Sequence, residues 1–282
     1  MQQESGNYYD LVTTDAGIPT FRHVSTGETL HAQVGPWQEA FSLYIEPSGL
    51  LRCEGCVTVY DVGLGCASLL LASLFAWRTN FKLQVCNVVS FDLEKLGLQG
   101  LLDHLSKFPF AESEKDTIQK FLENDHVVLE ENGRRFEWRF VRGNFRDTIT
   151  SSENFQMPPA DHVFYDLFSP ASLPHVWTYE VFSHLFRHCS SRARLYTYCC
   201  STRARAALLA AGFFVGLGIP SGKKSKTTIA ACRLSDLSEP LPPTWVDTFK
   251  RSHIPFLSAE RPELHEEIRM RVYSHPQFAT NR

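Results

Sequence analysis

The stretch Val57-Thr-Val-Tyr-Asp61-Val-Gly63-Leu-Gly65-Cys-Ala-Ser-Leu-Leu-Leu71 sets the reading of the whole chain. A β-branched run ends in an acid, two glycines follow one residue apart, and a helical apolar pattern begins. That order reads as strand, tight turn and helix, the opening βα unit of a nucleotide-binding α/β fold. The glycines let the backbone turn sharply and let a ligand lie against main-chain N–H groups at the helix start. The third glycine of G-x-G-x-x-G is missing, and Ser68 stands in its place. A loop built to cradle a dinucleotide pyrophosphate is therefore disfavoured.

Outward from this stretch, the first helix is expected over about Cys66 to Trp77. Gln84-Val-Cys-Asn-Val-Val-Ser-Phe91 is a near-continuous apolar run, the pattern of a buried parallel strand, and it ends at Asp92. A helical pair is expected over Glu94 to Leu105 and Ala111 to Leu122. Two short strands flank Glu131-Asn-Gly133, a hairpin signal because Asn-Gly accepts positive φ. Asp161-His-Val-Phe-Tyr-Asp166 is the next strand, again ending in an acid. Pro174 to Cys189 has helical spacing, Ala193 to Cys199 reads as a strand, and Thr202 to Ala211 as a helix stopped by Gly212. Phe213 to Leu217 and Thr227 to Cys232 are expected as a final antiparallel pair. Strands alternating with helices require a mostly parallel sheet with right-handed crossovers. The expected class is α/β: a Rossmann-like, mostly parallel sheet with a terminal antiparallel pair and an N-terminal β extension. In that extension Phe41-Ser-Leu-Tyr-Ile45 alternates like a strand, although Gln38 to Leu43 also reads as helix. The expected organisation is a β-rich extension over 1–52, one Rossmann-like domain over 53–233, and a partly helical tail over 234–282.

Bulk properties narrow the class of function. Hydrophobic residues make up 43% and charged ones 21% of the 282, ordinary for a globular protein with a real core. Net charge is -3, so a nucleic-acid partner would have to be met by a local patch rather than a global field. The N-terminus is polar, and the longest apolar run, Cys66 to Trp77, is too short to span a bilayer. No membrane association is expected, and a cytoplasmic location is. The eight cysteines then read as reduced thiols. Cys53-Glu-Gly-Cys56 has no second pair at zinc spacing, and a structural zinc needs four ligands, so no metal is expected.

In open α/β sheets, ligands bind beyond the carboxyl ends of the strands. The polar residues expected there are Asp61, Gly63 and Gly65, then Asp92, Asn144 and Asp166. Each acid could also simply cap the helix that follows it. An acid ending the second strand can accept the ribose hydroxyls, and Asp92 stands 31 positions after Asp61. Asn144 offers both a donor and an acceptor to an adenine edge. The short D-x-G-x-G form suits S-adenosylmethionine, which has no pyrophosphate. Phe168 and Pro170 would make a rigid apolar wall beside Asp166, and Trp177 follows; plain core packing accounts for Phe168 and Trp177 equally well.

Asp166-Leu-Phe-Ser-Pro-Ala-Ser-Leu-Pro-His-Val-Trp-Thr178 resembles the D-G-F-A/S-P-x-x-x-P-x-x-W-T/S stretch of the MnmC-type methyltransferases. Upstream, Asp61-Val-Gly-Leu-Gly65 resembles that family's G-F-G loop and Ser90-Phe91-Asp92 its S-F-E. Downstream, Ser201 to Gly212 and Gly222 to Ala230 are similar to its closing helix and basic strand. Thr14 to Thr20, with Glu28 and His31, resembles the N-terminal segment of stand-alone members. The sequence departs from the family at Cys66-Ala67-Ser68, where a further glycine is usual. The resemblance implies an S-adenosylmethionine-dependent N-methyltransferase acting on the 5-aminomethyl group of a tRNA wobble uridine, without the flavin-dependent oxidase domain fused in some relatives. Asp166 would orient the amine and take its proton, directly or through water. Asp61, Gly63, Gly65, Asp92, Asn144 and Asp166 would hold the cofactor. Phe168, Pro170, Trp177 and the lysines Lys223, Lys224 and Lys226 would meet the substrate, the lysines through tRNA phosphates. The first arginine cluster, Arg134 to Arg146, has acidic neighbours and reads better as a solvated charged face.

Two other functions share this core. One is a methyltransferase or aminopropyltransferase acting on a small amine, which needs no basic rim. The other is a non-enzymatic protein that keeps the fold for binding. The sequence leaves the oligomeric state open.

Overall fold

A computed structural model describes residues 8–30, 34–151, 156–220, 226–252 and 261–279. Eight strands form one sheet in the order β5-β6-β4-β3-β7-β8-β10-β9. They are β3 (Gly55–Val62), β4 (Leu83–Asp92), β5 (His126–Glu131), β6 (Arg134–Arg142), β7 (Ala160–Tyr165), β8 (Cys189–Thr197), β9 (Phe214–Pro220) and β10 (Lys226–Ala231). The central strands β6, β4, β3, β7 and β8 pair in parallel, while β5 and β10 pair antiparallel with their neighbours. The chain runs from β3 outward through β4 to β6, then returns to add β7 and β8 on the other side. Strand order therefore reverses between β3 and β7, which opens a crevice at their carboxyl ends. Asn132 and Gly133 both take positive φ in the β5–β6 turn, as an Asn-Gly hairpin requires.

Alternate strand residues feed two apolar cores. Val57, Val59, Cys86, Val88, Phe136 and Trp138 face one; Tyr60, Val62, Val89, Phe91, Val163 and Tyr165 face the other. The first core is covered by α3 (Ser68–Thr79), α4 (Leu96–Asp103) and α5 (Lys115–Glu123). The second is covered by α6 (Phe145–Thr150), α7 (Tyr179–Arg187), α8 (Thr202–Ala210), α9 (Trp245–Arg251) and α10 (His265–Tyr273). None of the described helices is long and apolar enough to cross a membrane.

The N-terminal region is a two-stranded antiparallel hairpin, β1 (Tyr9–Thr13) and β2 (Pro19–His23), followed by helix. Here α1 (Pro36–Ala40) and α2 (Glu46–Ser48) are joined by a π-helical turn at Phe41–Ile45. The strand reading of Phe41–Ile45 is thus corrected to helix. Pro36, Glu39, Ala40, Leu43, Tyr44 and Ser48 are buried at helical spacing, and the acid among them breaks the simple apolar pattern. This segment packs on α3, which explains why α3 is apolar on nearly every side: it lies between the sheet and the N-terminal helix. Beyond residue 234 the chain joins the second core through Leu241, Trp245, Phe249, Ile268 and Val272.

Candidate active site

The crevice floor is the turn between β3 and α3. Gly63 has φ 99, and a Cβ on it would lie 2.8 Å from the Asp166 carbonyl oxygen. Only glycine lets the β3 and β7 ends meet this closely. The Asp166 N–H in turn donates to the Val62 carbonyl at 2.9 Å. Asp92 Oδ2 accepts from the Gly65 N–H at 3.1 Å and Oδ1 from the Leu93 N–H at 2.7 Å. Burial pushes the Asp92 carboxyl above its ordinary pKa, against those backbone donors. Ala67, the residue that opens α3, sits at φ 62, a left-handed conformation that a methyl side chain tolerates less well than hydrogen. Cys66-Ala67-Ser68 therefore keeps the turn that a further glycine would make.

Asp166 lies at the centre of the crevice. Its Oδ1 accepts from the Tyr44 hydroxyl at 2.7 Å, and burial raises its pKa to about 6, against the lowering effect of that hydrogen bond. Asp61 behaves differently. Its side chain is 1% exposed, accepts from Ser90 Oγ at 2.7 Å, and does not line the crevice. Ser90 in turn accepts from Trp138 Nε1 at 3.0 Å. Burial, reinforced by Asp166 and Asp92, pushes the Asp61 pKa up to about 8 despite the Ser90 donor.

The roof is contributed by the N-terminal hairpin region and the loop after β7. Glu28 accepts from the Ser169 N–H at 3.1 Å, from Ser169 Oγ at 2.6 Å and from Ser172 Oγ. His23 packs on Phe168 with ring centroids 5.0 Å apart. Trp177 Nε1 donates to the Phe168 carbonyl at 2.9 Å, and the Tyr198 hydroxyl to the Leu167 carbonyl at 2.9 Å. The Asp166-Leu-Phe-Ser loop is thereby held from three directions.

Together these surfaces enclose a cavity of about 860 Å³, within the range of a small-molecule site. Five carboxylates line it, from Glu28, Glu39, Asp92, Glu94 and Asp166, and no lysine or arginine among the described residues does. A net-positive ligand without phosphates fits such a site; a pyrophosphate does not. S-adenosylmethionine, with its sulfonium and ammonium, meets that requirement.

Of the residues expected from sequence, Gly63, Gly65, Asp92, Asn144, Asp166 and Phe168 line the cavity, and Asp61, Pro170 and Trp177 do not. Trp177 is fully buried and meets the cavity wall from behind, through the Phe168 carbonyl and the Tyr198 ring. Asn144 caps α6, its Oδ1 accepting from the Arg146 N–H at 3.0 Å. Lys226 is ion-paired to Glu239 at 2.5 Å; Lys223 and Lys224, like His31, lie outside the described residues. Arg135 and Arg139 pair with Glu137, Arg142 with Glu94, and Arg134 is buried. Glu39, Tyr44 and Tyr198 were not foreseen, because no local motif marks them: α1, the π-helical turn and the end of β8 deliver them from distant parts of the chain. Glu28 was signalled only by the family-like N-terminal segment.

The family model described as S-adenosyl-L-methionine-dependent methyltransferase matches residues 109–233, which include Asn144 and Asp166 through Trp177. The crystal structure of MnmC2 from Aquifex aeolicus is similar over 96% of this chain and 86% of that one, with 26% identity and a TM-score of 0.67. The protein is an S-adenosylmethionine-dependent methyltransferase, similar in sequence and fold to MnmC proteins. Among curated proteins, this methyltransferase is 28% identical over 212 residues to the tRNA 5-methylaminomethyl-2-thiouridine biosynthesis bifunctional protein MnmC of Aromatoleum aromaticum, covering 72% of this chain and 32% of that protein. It is 25% identical over 222 residues to an uncharacterized protein of Methanocaldococcus jannaschii, covering 78% of this chain and 58% of that one. The chain thus spans less than two thirds of the length of either relative.

Proposed function

We propose that this methyltransferase methylates the exocyclic amine of a 5-aminomethyl uridine at the wobble position of tRNA. The observation that carries this reading is Asp166, a carboxylate in a cavity lined by acids, with a pKa near 6 that leaves it ionised at neutral pH. The similarity to MnmC proteins supports the choice of substrate. When bound, the cofactor supplies a methyl group on positively charged sulfur: the N–C bond forms as the C–S bond breaks, and that electron pair stays on sulfur. Asp92 would accept from the ribose hydroxyls, and the amide nitrogen of Asn144 would donate to the adenine edge. Leu93 and Phe145, which also line the cavity, would flank the purine.

Asp166 would orient the acceptor amine and take its proton on a carboxylate oxygen. A primary alkylamine, by analogy with lysine, has a pKa about four units above that of Asp166, a gap of about 5 kcal/mol. Burial in the cavity disfavours the charged ammonium and narrows the gap. Alignment of nitrogen, methyl and sulfur would supply the larger share of the acceleration, up to about 7–11 kcal/mol for well-oriented reactants. A tRNA substrate would place the protein in the cytoplasm.

A small free amine is the second reading, favoured by the pairing of Arg135, Arg139, Arg142 and Lys226 within the protein, which leaves them less available to phosphates. Transfer of labelled methyl to undermodified tRNA, run beside a panel of small amines, separates the two. Label appearing only in small amines defeats the tRNA reading. Asp166→Ala is expected to retain cofactor binding and lose turnover by about 10²-fold or more; near-wild-type rates would remove Asp166 from the chemistry.

A further inference from the structure

Tyr44 is fully buried, yet its hydroxyl reaches Asp166 Oδ1 at 2.7 Å from an element 122 residues away in sequence. It is delivered by the turn at Phe41–Ile45, packed with its ring centroid 5.6 Å from that of Phe164 in β7. A side chain with no exposure cannot touch the substrate. We propose that Tyr44 is a positioning residue for methyl transfer: it holds one oxygen of Asp166, leaves the other for the acceptor amine, and keeps the carboxylate in the ionised form able to take a proton. This rests on the reading of Asp166 as the proton acceptor.

The surroundings explain why such a donor is needed. Asp61 on β3, Glu39 on α1, Glu28 beyond the hairpin, Tyr198 after β8 and Cys66 in the turn share this electrostatic neighbourhood with Asp166 and Tyr44. Each of these groups is neutral or negative, so none offsets the cost of burying the Asp166 charge. The Tyr44 hydroxyl is the one side-chain hydrogen bond described to that carboxylate. Its donation favours the ionised form, and its orientation fixes which oxygen is occupied. Tyr44 itself stays protonated, since burial and the adjacent Asp166 charge both push its pKa up.

The test is the titration of Asp166 in the full chain, read by carbon NMR with label in the aspartate carboxyl. The Asp166 resonance is assigned by its loss in Asp166→Asn. The wild-type midpoint is expected near 6, and in Tyr44→Phe higher by about one pH unit, as loss of a hydrogen bond to a charged group implies. In the transfer assay the acid limb moves with it: kcat/KM falls about fivefold at pH 6 and little at pH 8, because half-ionised Asp166 becomes about one-tenth ionised. A folded Tyr44→Phe protein whose midpoint and pH profile match wild type overturns the proposal. Should that variant fail to fold, label at the Tyr44 phenolic carbon of the wild type decides: its resonance must move with the Asp166 midpoint, and indifference to it is equally fatal. The titration needs no turnover, so absence of methyl transfer from wild type would defeat the proposed function without being mistaken for failure of the Tyr44 contact.

Discussion

Asp61 sits beneath the site without entering it. Its pKa, about 8, lies well above the value near 4 of an unfolded aspartate, and burial is the leading cause. A carboxyl raised on folding holds its proton more tightly in the native state. The stability it contributes is complete below about pH 4 and is lost as pH rises through about 8, at up to about 1.4 kcal/mol per pH unit. The cofactor-free protein is therefore expected to melt at lower temperature at pH 8 than at pH 5, and Asp61→Asn to flatten that slope. Asp92 and Asp166 are shifted in the same direction, so the comparison rests on the difference between variant and wild type. Parallel slopes in the two proteins would show that Asp61 is not the group responsible. At this scale the sequence located Asp61, Asp92 and Asp166 at strand ends. It could not say which carboxylates face a ligand, because that depends on how far each strand runs before its chain turns.

The hairpin region and the loop after β7 form a pair joined by Glu28. That carboxylate accepts three hydrogen bonds from residues 141 and 144 positions away, and the hairpin side also contributes cavity lining from Tyr9, His23 and Leu30. Glu28→Ala is expected to cost about 1–3 kcal/mol of native stability. It should also speed release of S-adenosylmethionine severalfold, because the Phe168 wall loses its hydrogen-bonded tie to the hairpin side and keeps only the His23 ring contact. Stopped-flow displacement and denaturant melts measure the two effects; unchanged release with lowered stability would make Glu28 a structural tie only. The family-like segment around Glu28 hinted at its importance, but its partner serines cannot be inferred from spacing. The helix over 36–48 was harder to read, since Phe41-Ser-Leu-Tyr-Ile45 fits two periods at once and the buried Glu39 disguises the helical one.

The whole molecule closes over its second core with residues beyond 240. Gln277 accepts from the Val215 N–H at 2.7 Å and donates to the carbonyls of Val215 and Leu241 at 2.7 and 3.1 Å. Trp245, Phe249, Ile268 and Val272 are buried behind it. Burying such side chains is worth about 1.5–3 kcal/mol each, against a typical total stability of about 5–15 kcal/mol. A chain cut after Ser238 is expected to lose its cooperative melt and to aggregate. A soluble truncated protein with the wild-type melting temperature would show that the C-terminal helices are dispensable. Composition alone, rich in proline and charge after residue 234, suggested a tail; the apolar residues there are too few and too widely spaced to announce a packed face.

The alternation of apolar strands with helices, the Asp61-Val-Gly-Leu-Gly65 turn and the Asn132-Gly133 hairpin were enough to establish the α/β class and to point to the sheet edge where the cavity lies. These are local signals, set by backbone sterics and by the periods of strand and helix. The Asp166 to Thr178 stretch pointed to the chemistry in the same way, through residues close together along the chain. Tertiary structure alone decided that Asp61 is buried beneath the cavity and that Trp177 is buried behind Phe168. It also brought Tyr44, Glu39 and Glu28 to Asp166 from segments more than a hundred residues distant. Contacts of that range depend on strand order and helix packing, and no spacing within one segment records them.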